Sequence, residues 1–284
     1  MSARVEIVHR TGFRYDAPVV ASYNEARMTP MTTPLQQTLR SRVEVHPVSW
    51  ESSYLDYWGT QVTAFEVQRP HEELEVVARS IVEMGSVLGL SAATVEPAGW
   101  DTLARPDVVD EYVEMLMMTE RTEPGDELSE LVAGLRSAPS PDDAAHQVCE
   151  LIRQRIEYVP GSSAVQGTAQ EAWVAGKGVC QDLVHLALGG LRSLGIPARY
   201  VSGYLDPRSE PTPGESASAQ SHAWLEWWSG EWTGFDPTNG VEPSDSHVMV
   251  GRGRDYTDVT PLKGVYSGSA DSSLFVDVQI RRLT

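Results

Sequence analysis

The feature that most restricts the fold is a run that is apolar on nearly every side at helical spacing, within the stretch GKGVCQDLVHLALGGLRSLGIP. Gly195 and Pro197 close the predicted helix, and Gly176 and Gly178 let the backbone turn tightly into its start. The run is too short to cross a bilayer, so it predicts a helix that other elements of a globular protein surround. Its apolar positions are Leu183, Val184, Leu186, Ala187, Leu188, Leu191 and Leu194.

The first hundred residues predict a β domain. The segments RVEIVHRTGFRY, SRVEVHPV and TQVTAFEVQRP alternate between apolar and polar positions, and ELEVVARSIVEM is rich in β-branched residues. Prolines separate these segments, as expected of turns. We therefore predict an antiparallel β-sandwich-like domain over residues 1–100. Its histidines, His9, His46 and His71, are scattered and form no catalytic pattern.

The next part of the chain predicts helices. In RPDVVDEYVEMLMMT the apolar residues recur at the spacing of one helix face, and DELSELVAGLR continues with a second short helix. The segment SPDDAAHQVCELIRQRIEY opens with Ser140 as N-cap and Pro141 at the first helical position. Cys149 shares an apolar stripe of this helix with Ala145 and Ile152, so we interpret it as a small buried side chain.

Strand patterns return after the central apolar helix, in ARYVSGYL, SHAWLEWW, EWTGFDPTN and SLFVDVQIRRL. Between the first two lies DPRSEPTPGESASAQ, which is rich in proline, serine and glutamate and predicts an exposed loop over 206–220. Helices together with antiparallel strands predict an α+β fold, with a second domain over residues 101–284 whose helical part packs on an antiparallel sheet.

Charge and cysteine content narrow the classes of partner and compartment. The chain has 40 acidic and 22 basic residues, a net charge of −18. Such a surface repels nucleic acid and anionic membranes, so we expect neither as a partner. The start, MSARVEIVHRTGFRYD, has no apolar run of signal-peptide length, and Cys149 and Cys180 are too few for a disulfide framework. We therefore expect a cytoplasmic protein with reduced thiols, of an oligomeric state that the sequence leaves open.

Cys180 lies in the predicted first turn of the apolar helix. Unpaired backbone N–H groups and the helix dipole favour negative charge there, which activates a thiol and can also bind an oxyanion. Position alone leaves two readings equally open, a nucleophile or a second buried cysteine. Asp182 fits as a first-turn charge that complements the dipole, and His185 falls on another face of the helix.

A base for this thiol can come from the predicted hairpin SHAWLEWWSGEWTGFDPTN. A three-residue loop of residues 228–230, with Gly230 in the left-handed conformation, pairs His222 directly opposite Asp236. Their Cβ atoms are then about 4.5–5.5 Å apart on one face, so that Asp236 orients the imidazole and His222 pairs with the thiolate. Each residue alone also has a structural reading, because Asp-Pro is a common turn and a strand histidine can be partly exposed.

Three motifs in order, GKGVCQDLVHLALGGLRSLGIPARYVSGYL, SHAWLEWW and GFDPTNG, resemble the transglutaminase-like superfamily. The segment VEIVHRTGFRYDAPV resembles the start of the N-terminal β domain found in its bacterial branch. The resemblance implies a papain-like core in which a cysteine on a helix meets a histidine and an aspartate on a sheet. Carried over residue by residue, the catalytic residues are Cys180, His222 and Asp236. No cofactor is implied, and no loop has the spacing of a calcium site.

The resulting expectation is a cysteine-dependent acyl-transfer enzyme that acts on amide, peptide or isopeptide bonds through a thioester. The family includes hydrolysis and transamidation, and hydrolysis is favoured because water needs no second binding site. The backbone N–H of Cys180 is the first oxyanion donor, and the choice of a side-chain donor stays open between Gln166, Gln170 and Trp173.

Two rival hypotheses remain. The first is a non-catalytic protein-binding module that keeps a relic triad. The second is a metal site made from Cys180, His185 and His222. The five-residue spacing of the first two on a helix and the lack of a Cys-x-x-Cys motif disfavour this site.

Overall fold

A computed structural model describes residues 3–85, 97–162, 167–208 and 212–284. Within these ranges the strands are β1 (Ala3–Val19), β2 (Ala21–Ala26), β3 (Gln36–His46), β4 (Trp50–Leu55), β5 (Gln61–Val67), β6 (His71–Met84), β7 (Glu157–Tyr158), β8 (Lys177–Gly178), β9 (Ala198–Leu205), β10 (Ser216–Trp228), β11 (Trp232–Phe235), β12 (His247–Gly253), β13 (Leu262–Ser267) and β14 (Ser272–Arg282). The helices are α1 (Trp100–Leu103), α2 (Pro106–Glu111), α3 (Val113–Leu116), α4 (Gly125–Ala133), α5 (Pro141–Arg155), α6 (Ala169–Ala175) and α7 (Cys180–Ser193).

The larger sheet is antiparallel and has the strand order β12-β9-β10-β14-β1-β6-β3, with β11 also paired to β10. Its two end strands meet, because the Gln36 side chain of β3 donates to the Met249 carbonyl of β12 at 2.7 Å and accepts from the Met249 N–H at 2.8 Å. The sheet therefore curls around an apolar core. Members of this core are Val5, Ile7, Val82, Tyr204, Val248, Val278 and Ile280.

A second antiparallel sheet has the order β13-β2-β5-β4. It shares an apolar core with β1, β3 and β6, made of residues such as Val19, Met28, Phe65, Leu74 and Val76. Strands from the C-terminus complete both sheets, because β14 pairs with β1 and β13 pairs with β2. The sequence patterns predicted the last strand but not its neighbours, since strand pairing depends on distant parts of the chain.

The helical part forms around α7, which is buried almost along its whole length. Helices α4, α5 and α6 pack against it, and β9 and β10 cover it from the sheet. The predicted surrounded helix is confirmed, as is the α+β class. Ser140 caps α5 by accepting from the Asp143 N–H at 3.1 Å, as predicted, and Cys149 is fully buried on that helix. Within the described ranges, no helix has the length and hydropathy that a membrane span requires.

Two local predictions were wrong. The helix predicted from RPDVVDEYVEMLMMT is divided into α2 and α3 at Tyr112, whose ring packs on Trp228 at a centroid distance of 4.7 Å and on Trp232 at 5.7 Å. The helix is interrupted at Tyr112 because packing of its ring outweighs the local preference for a continuous helix. The loop predicted over 206–220 is shorter, because residues 216–219 pair with β14 as the start of β10; residues 209–211 of that loop lie outside the described ranges.

Candidate active site

The chain turns sharply into the helix that carries Cys180. Helix α6 ends at Gly176, whose φ of 64° is in the left-handed region that favours glycine. After the two residues of β8, Val179 is the N-cap of α7 and Cys180 is its first residue, as predicted. Asp182 accepts the Val179 N–H at 2.7 Å, and a Cβ on Gly178 would come within 2.7 Å of the Asp182 side chain. Glycine at 178 therefore permits the turn that presents Cys180.

The hairpin of β10 and β11 brings His222 and Asp236 together, but in a different register from the predicted one. Trp228 pairs with Trp232, so the loop is residues 229–231 and the register is shifted by two residues. Direct opposition of His222 and Asp236 was therefore wrong. A shift of two keeps both side chains on one face, as diagonal neighbours, since the side-chain period of a strand is two. Gly230 has the predicted positive φ, 104°.

His222 connects the thiol to the carboxylate. Its Nε2–H donates to Asp236 Oδ2 at 2.7 Å, and a second hydrogen bond joins the imidazole to the Cys180 side chain. Because Nε2 faces Asp236, Nδ1 is the atom left for Cys180. Burial would lower the pKa of His222, but hydrogen bonds to Asp236 and Cys180 and the charges of both groups outweigh burial and raise that pKa to about 9. The imidazole is therefore protonated at neutral pH and lies between the carboxylate of Asp236 and the sulfur of Cys180.

Asp236 is fully buried, yet it is held as a carboxylate by five donors. Burial would raise its pKa, but hydrogen bonds from His222 and His247 and further donors hold the pKa far below the ordinary value. Besides His222, the donors are the Thr238 N–H at 2.9 Å, the Asn239 N–H at 3.2 Å, the Asn239 side chain at 2.6 Å and His247 Nε2 at 3.3 Å. Residues of the Asp-Pro turn thus supply three of the donors that hold the carboxylate in place. Asp236 therefore both forms the turn and faces His222.

The sequence patterns did not single out His247, on β12. Its side chain is 3% exposed and its Nε2 faces Asp236 Oδ2. The Ser244 N–H points at His247 Nδ1 at 3.2 Å, and an amide N–H can only donate. Nδ1 is therefore the acceptor, and the Nε2–H is directed at Asp236. No local pattern marks this residue, because its contact with Asp236 depends on the pairing of β12 with β9.

Trp224 packs against both histidines, whose own rings lie 6.1 Å apart. Its ring lies at 6.3 Å from the His222 ring in a stacked arrangement and at 5.4 Å from the His247 ring in an edge arrangement. Gly203 on the neighbouring strand makes room for it, since a Cβ there would come within 2.6 Å of the indole. The indole thereby limits the rotation of the imidazole that bonds Cys180.

The remaining candidates from the sequence lie elsewhere. His185 is fully buried and its Nε2 accepts the Tyr256 N–H at 3.2 Å; burial lowers its pKa to about 3. Trp173 Nε1 donates to Glu127 at 2.9 Å inside the helical core, and Gln170 lies beside Gly125. Gln166 lies outside the described ranges. None of the described candidates for a side-chain oxyanion donor lines the cleft at Cys180; upstream residues that do line it include Tyr158.

Metal binding was considered for this region as well. His222, Asp236 and His247 each offer a ligand atom, and these atoms lie within 4.8 Å of one another. Such a set resembles a zinc site in composition. The same atoms are already joined by hydrogen bonds, in which both histidines donate an N–H to the Asp236 carboxylate. The hypothesis of a site from Cys180, His185 and His222 is not favoured, because His185 Nε2 is directed at the Tyr256 amide.

The thiol opens onto a cleft with a volume of about 430 Å³. Cys180 is partly exposed there, whereas the His222 side chain is 9% exposed. Helical hydrogen bonding begins with the N–H groups of Asp182 and Leu183, which leaves the Cys180 N–H ahead of the helical ladder. The arrangement can therefore bring a sulfur nucleophile, a proton donor and an oxyanion donor to one carbonyl group.

Comparison with known families matches two parts of the chain. The bacterial transglutaminase-like N-terminal region matches residues 5–83, and the transglutaminase-like superfamily matches residues 129–237. The second range contains Cys180, His222 and Asp236.

Comparison with individual proteins covers the whole chain. An uncharacterised protein of Mycobacterium leprae is 41% identical over 280 residues, which are 99% of each chain. An uncharacterised protein of Mycobacterium tuberculosis is 32% identical over 297 aligned positions, with 98% of this chain and 92% of that protein covered. A solved structure of a candidate cysteine protease from Cytophaga hutchinsonii aligns with a TM-score of 0.77 at 20% identity, covering 100% of this chain and 92% of that one. This likeness shows a common fold.

Proposed function

Since the chain belongs to the transglutaminase-like superfamily, we propose that it is a cysteine-dependent acyl-transfer enzyme that hydrolyses peptide or isopeptide bonds. One observation carries the proposal: the His222 imidazole is hydrogen-bonded both to Cys180 and to the buried carboxylate of Asp236, beside an open cleft. A non-catalytic module would not require a partly exposed thiol next to a histidine that is itself bonded to a buried carboxylate. The substrate is a peptide or protein with an amide bond that can reach Cys180.

In the first half of the proposed reaction, the Cys180 thiolate attacks the amide carbonyl carbon and forms a C–S bond. The carbonyl π electrons move to oxygen, where the Cys180 N–H stabilises the negative charge. The oxyanion then collapses and the C–N bond breaks. His222 Nδ1–H transfers its proton to the leaving nitrogen, which departs as an amine and leaves a thioester.

In the second half, neutral His222 removes a proton from water and the hydroxide attacks the thioester carbonyl. The C–S bond breaks, the acid is released and the thiolate is restored beside a protonated His222. An amine in place of water would give transamidation by the same steps. We favour hydrolysis because water requires no second binding site, and a product analysis by mass spectrometry distinguishes the free acid from the new amide.

Alkylation of Cys180 as a function of pH is the first test. Iodoacetamide reacts with thiolates, and a free cysteine titrates near pH 8.5. We expect Cys180 to react well below that pH in the wild type and to lose this reactivity in His222→Ala. Peptide mass spectrometry separates Cys180 from Cys149, which serves as the internal unreactive thiol. A Cys180 that titrates like a free thiol, or is inert in both proteins, contradicts the proposal and favours a non-catalytic docking role.

We also propose a cytoplasmic location, which would keep the nucleophile in a reducing compartment. Both cysteines are unpaired, which is consistent with that setting. Fractionation of cells that express the tagged full-length protein tests this, and recovery in the cell envelope or medium would contradict it.

A further inference from the structure

The cleft extends past the triad onto the sheets formed with the N-terminal region. Beyond Cys180 and His222 it is lined by His9 on β1 and by Leu274 and Val276 on β14. The far wall therefore comes from strands that lie next to one another at the two ends of the sequence. Cleft walls of this kind select the part of the substrate that flanks the scissile bond.

This cleft lacks permanent charge. Among the described residues that line it, none is aspartate, glutamate, lysine or arginine, although these make up 22% of the chain. His9 is buried and donates to or accepts from the Tyr204 hydroxyl at 2.9 Å. Apart from His222, a charged substrate group would find no side chain of opposite charge among the described residues of these walls, whose polar members are neutral groups such as Gln220 and Ser221. Desolvating such a group without a partner is costly, so the cleft excludes charged side chains.

The far wall is also apolar and open. Leu274 and Val276 are 51% and 52% exposed, although large apolar side chains usually pack against something. They alternate with residues of the opposite face and continue the row of the buried Val278. Pro261 adds to the same lining. An apolar row that begins at the nucleophile offers area for the side chains of a bound segment.

Two strand edges are open at the same place. Strand β10 pairs with β14 only through its residues 216–219. It pairs with β11 only through its residues 225–228. In the described ranges no strand pairs with the second edge of residues 220–224, which include His222. One edge of β14 pairs with β1. The other edge pairs with no described strand over residues 272–277. Unpaired strand edges bind extended peptides by main-chain hydrogen bonds.

We propose that β14 forms a recognition subsite for an extended peptide whose side chains next to the reacting carbonyl are uncharged and apolar. This inference rests on the proposed function of Cys180 and names its substrate class. The peptide backbone pairs with the open edges of β10 and β14, and its alternate side chains lie on Leu274 and Val276. Acidic and lysine-rich segments are excluded.

Labelling of Cys180 by chloroacetyl tripeptide amides tests the subsite without a known substrate. The tripeptides carry leucine, aspartate or lysine at the first and third positions, and iodoacetamide reports the reactivity of the thiol itself. We expect the leucine probe to label Cys180 at least about tenfold faster than either charged probe. An N-methyl group on the second residue of the leucine probe removes one main-chain donor and should slow it about fivefold.

Leu274→Lys should lose the preference for leucine and gain labelling by the aspartate probe, which a loss of structure would not produce. Ser273→Lys, one residue along on the other face of β14, is the matched control and should behave as wild type. Equal rates for all probes, or an unchanged preference in Leu274→Lys, overturn the subsite while the iodoacetamide reaction still supports the nucleophile. A Cys180 that is inert to iodoacetamide at low pH overturns the proposed function and this inference with it.

Discussion

The two cysteines lie on helices that pack against each other, yet they have opposite surroundings. Cys149 is in the interior of α5 and fully buried, and burial, followed by the nearby charge of Asp236, raises the pKa of its thiol far above the ordinary value. Cys180 is the first residue of α7, partly exposed in the cleft and bonded to His222. Position on the helix, rather than residue type, separates the buried thiol from the proposed nucleophile.

Asp236 takes part in both environments with opposite consequences. Its charge adds to the effect of burial in raising the pKa of the Cys149 thiol. Towards Cys180 it faces His222 instead, whose protonated imidazole lies between the carboxylate and the sulfur. The comparison supports the proposal that a buried carboxylate favours a thiolate where a protonated imidazole separates the two negative charges.

Replacing the nucleophile should have the largest effect. Cys180→Ala should abolish release of p-nitroaniline from an apolar peptide p-nitroanilide, because no other group can form the thioester. The side chain is partly exposed and the sulfur fills little buried volume, so the free energy of unfolding should change by less than about 1 kcal/mol. Turnover by Cys180→Ala that matches the wild type would show that the site lies elsewhere.

Removing the charge of Asp236 should have the second largest effect on the rate. Asp236→Asn should lower the rate by roughly 10²–10⁴-fold, because the imidazole loses its orientation and its charge partner.

The raised pKa of His222 predicts a pH dependence of the reaction. Wild-type activity should fall as the pH rises through about 9, since neutral His222 cannot protonate the leaving amine. In Asp236→Asn this fall should move to lower pH, because the largest effect that raises the pKa of His222 is gone.

A pH–rate profile of both proteins, with thermal unfolding as the control for folding, checks this expectation. An alkaline limb at the same pH in the two proteins would mean that Asp236 does not set the protonation of His222. A wild-type rate in Asp236→Asn would remove Asp236 from the reaction.

The contact of His247 with Asp236 should have a smaller effect. His247→Phe keeps a ring beside Trp224 but loses the N–H directed at the carboxylate, so the rate should fall about fivefold to tenfold. His247→Gln restores a donor of similar reach and should recover most of that loss. Equal rates in the Phe and Gln variants would mean that His247 only fills space.

Sequence patterns predicted the α+β class and the placement of Cys180, His222 and Asp236, whose catalytic roles stay a proposal, but not the pairing of the strands around them. Local signals were sufficient for α7, for its glycine-flanked start and for Cys180 in the first turn, because each depends on neighbours in sequence. The pairing of His222 with Asp236 survived an error in the hairpin register, since a shift of two residues preserves the face of each strand. A shift of one residue would have separated them.

The features of the fold and site that the sequence did not predict depend on contacts between distant parts of the chain. The joining of β14 to β1 and the approach of β12 to β9 bring Leu274 and His247 to the site, and no local pattern encodes either pairing. The division of the chain into domains over 1–100 and 101–284 stays a prediction, and the C-terminal strands pair with the sheets of the first of these ranges. Prediction from sequence therefore works where hydrogen-bonding partners are close along the chain.

Replacing the buried cysteine should have the smallest effect on activity. Cys149→Ala removes a fully buried sulfur that touches the apolar core around α7, so the free energy of unfolding should fall by about 1 kcal/mol, while the p-nitroanilide rate stays within about twofold of wild type. Urea unfolding measures the first quantity. In the wild type, iodoacetamide should label Cys149 only as urea unfolds the protein, whereas Cys180 reacts in the native state. If Cys149→Ala lost activity with its fold intact and Cys180→Ala did not, the assignment of inert thiol and nucleophile would be reversed.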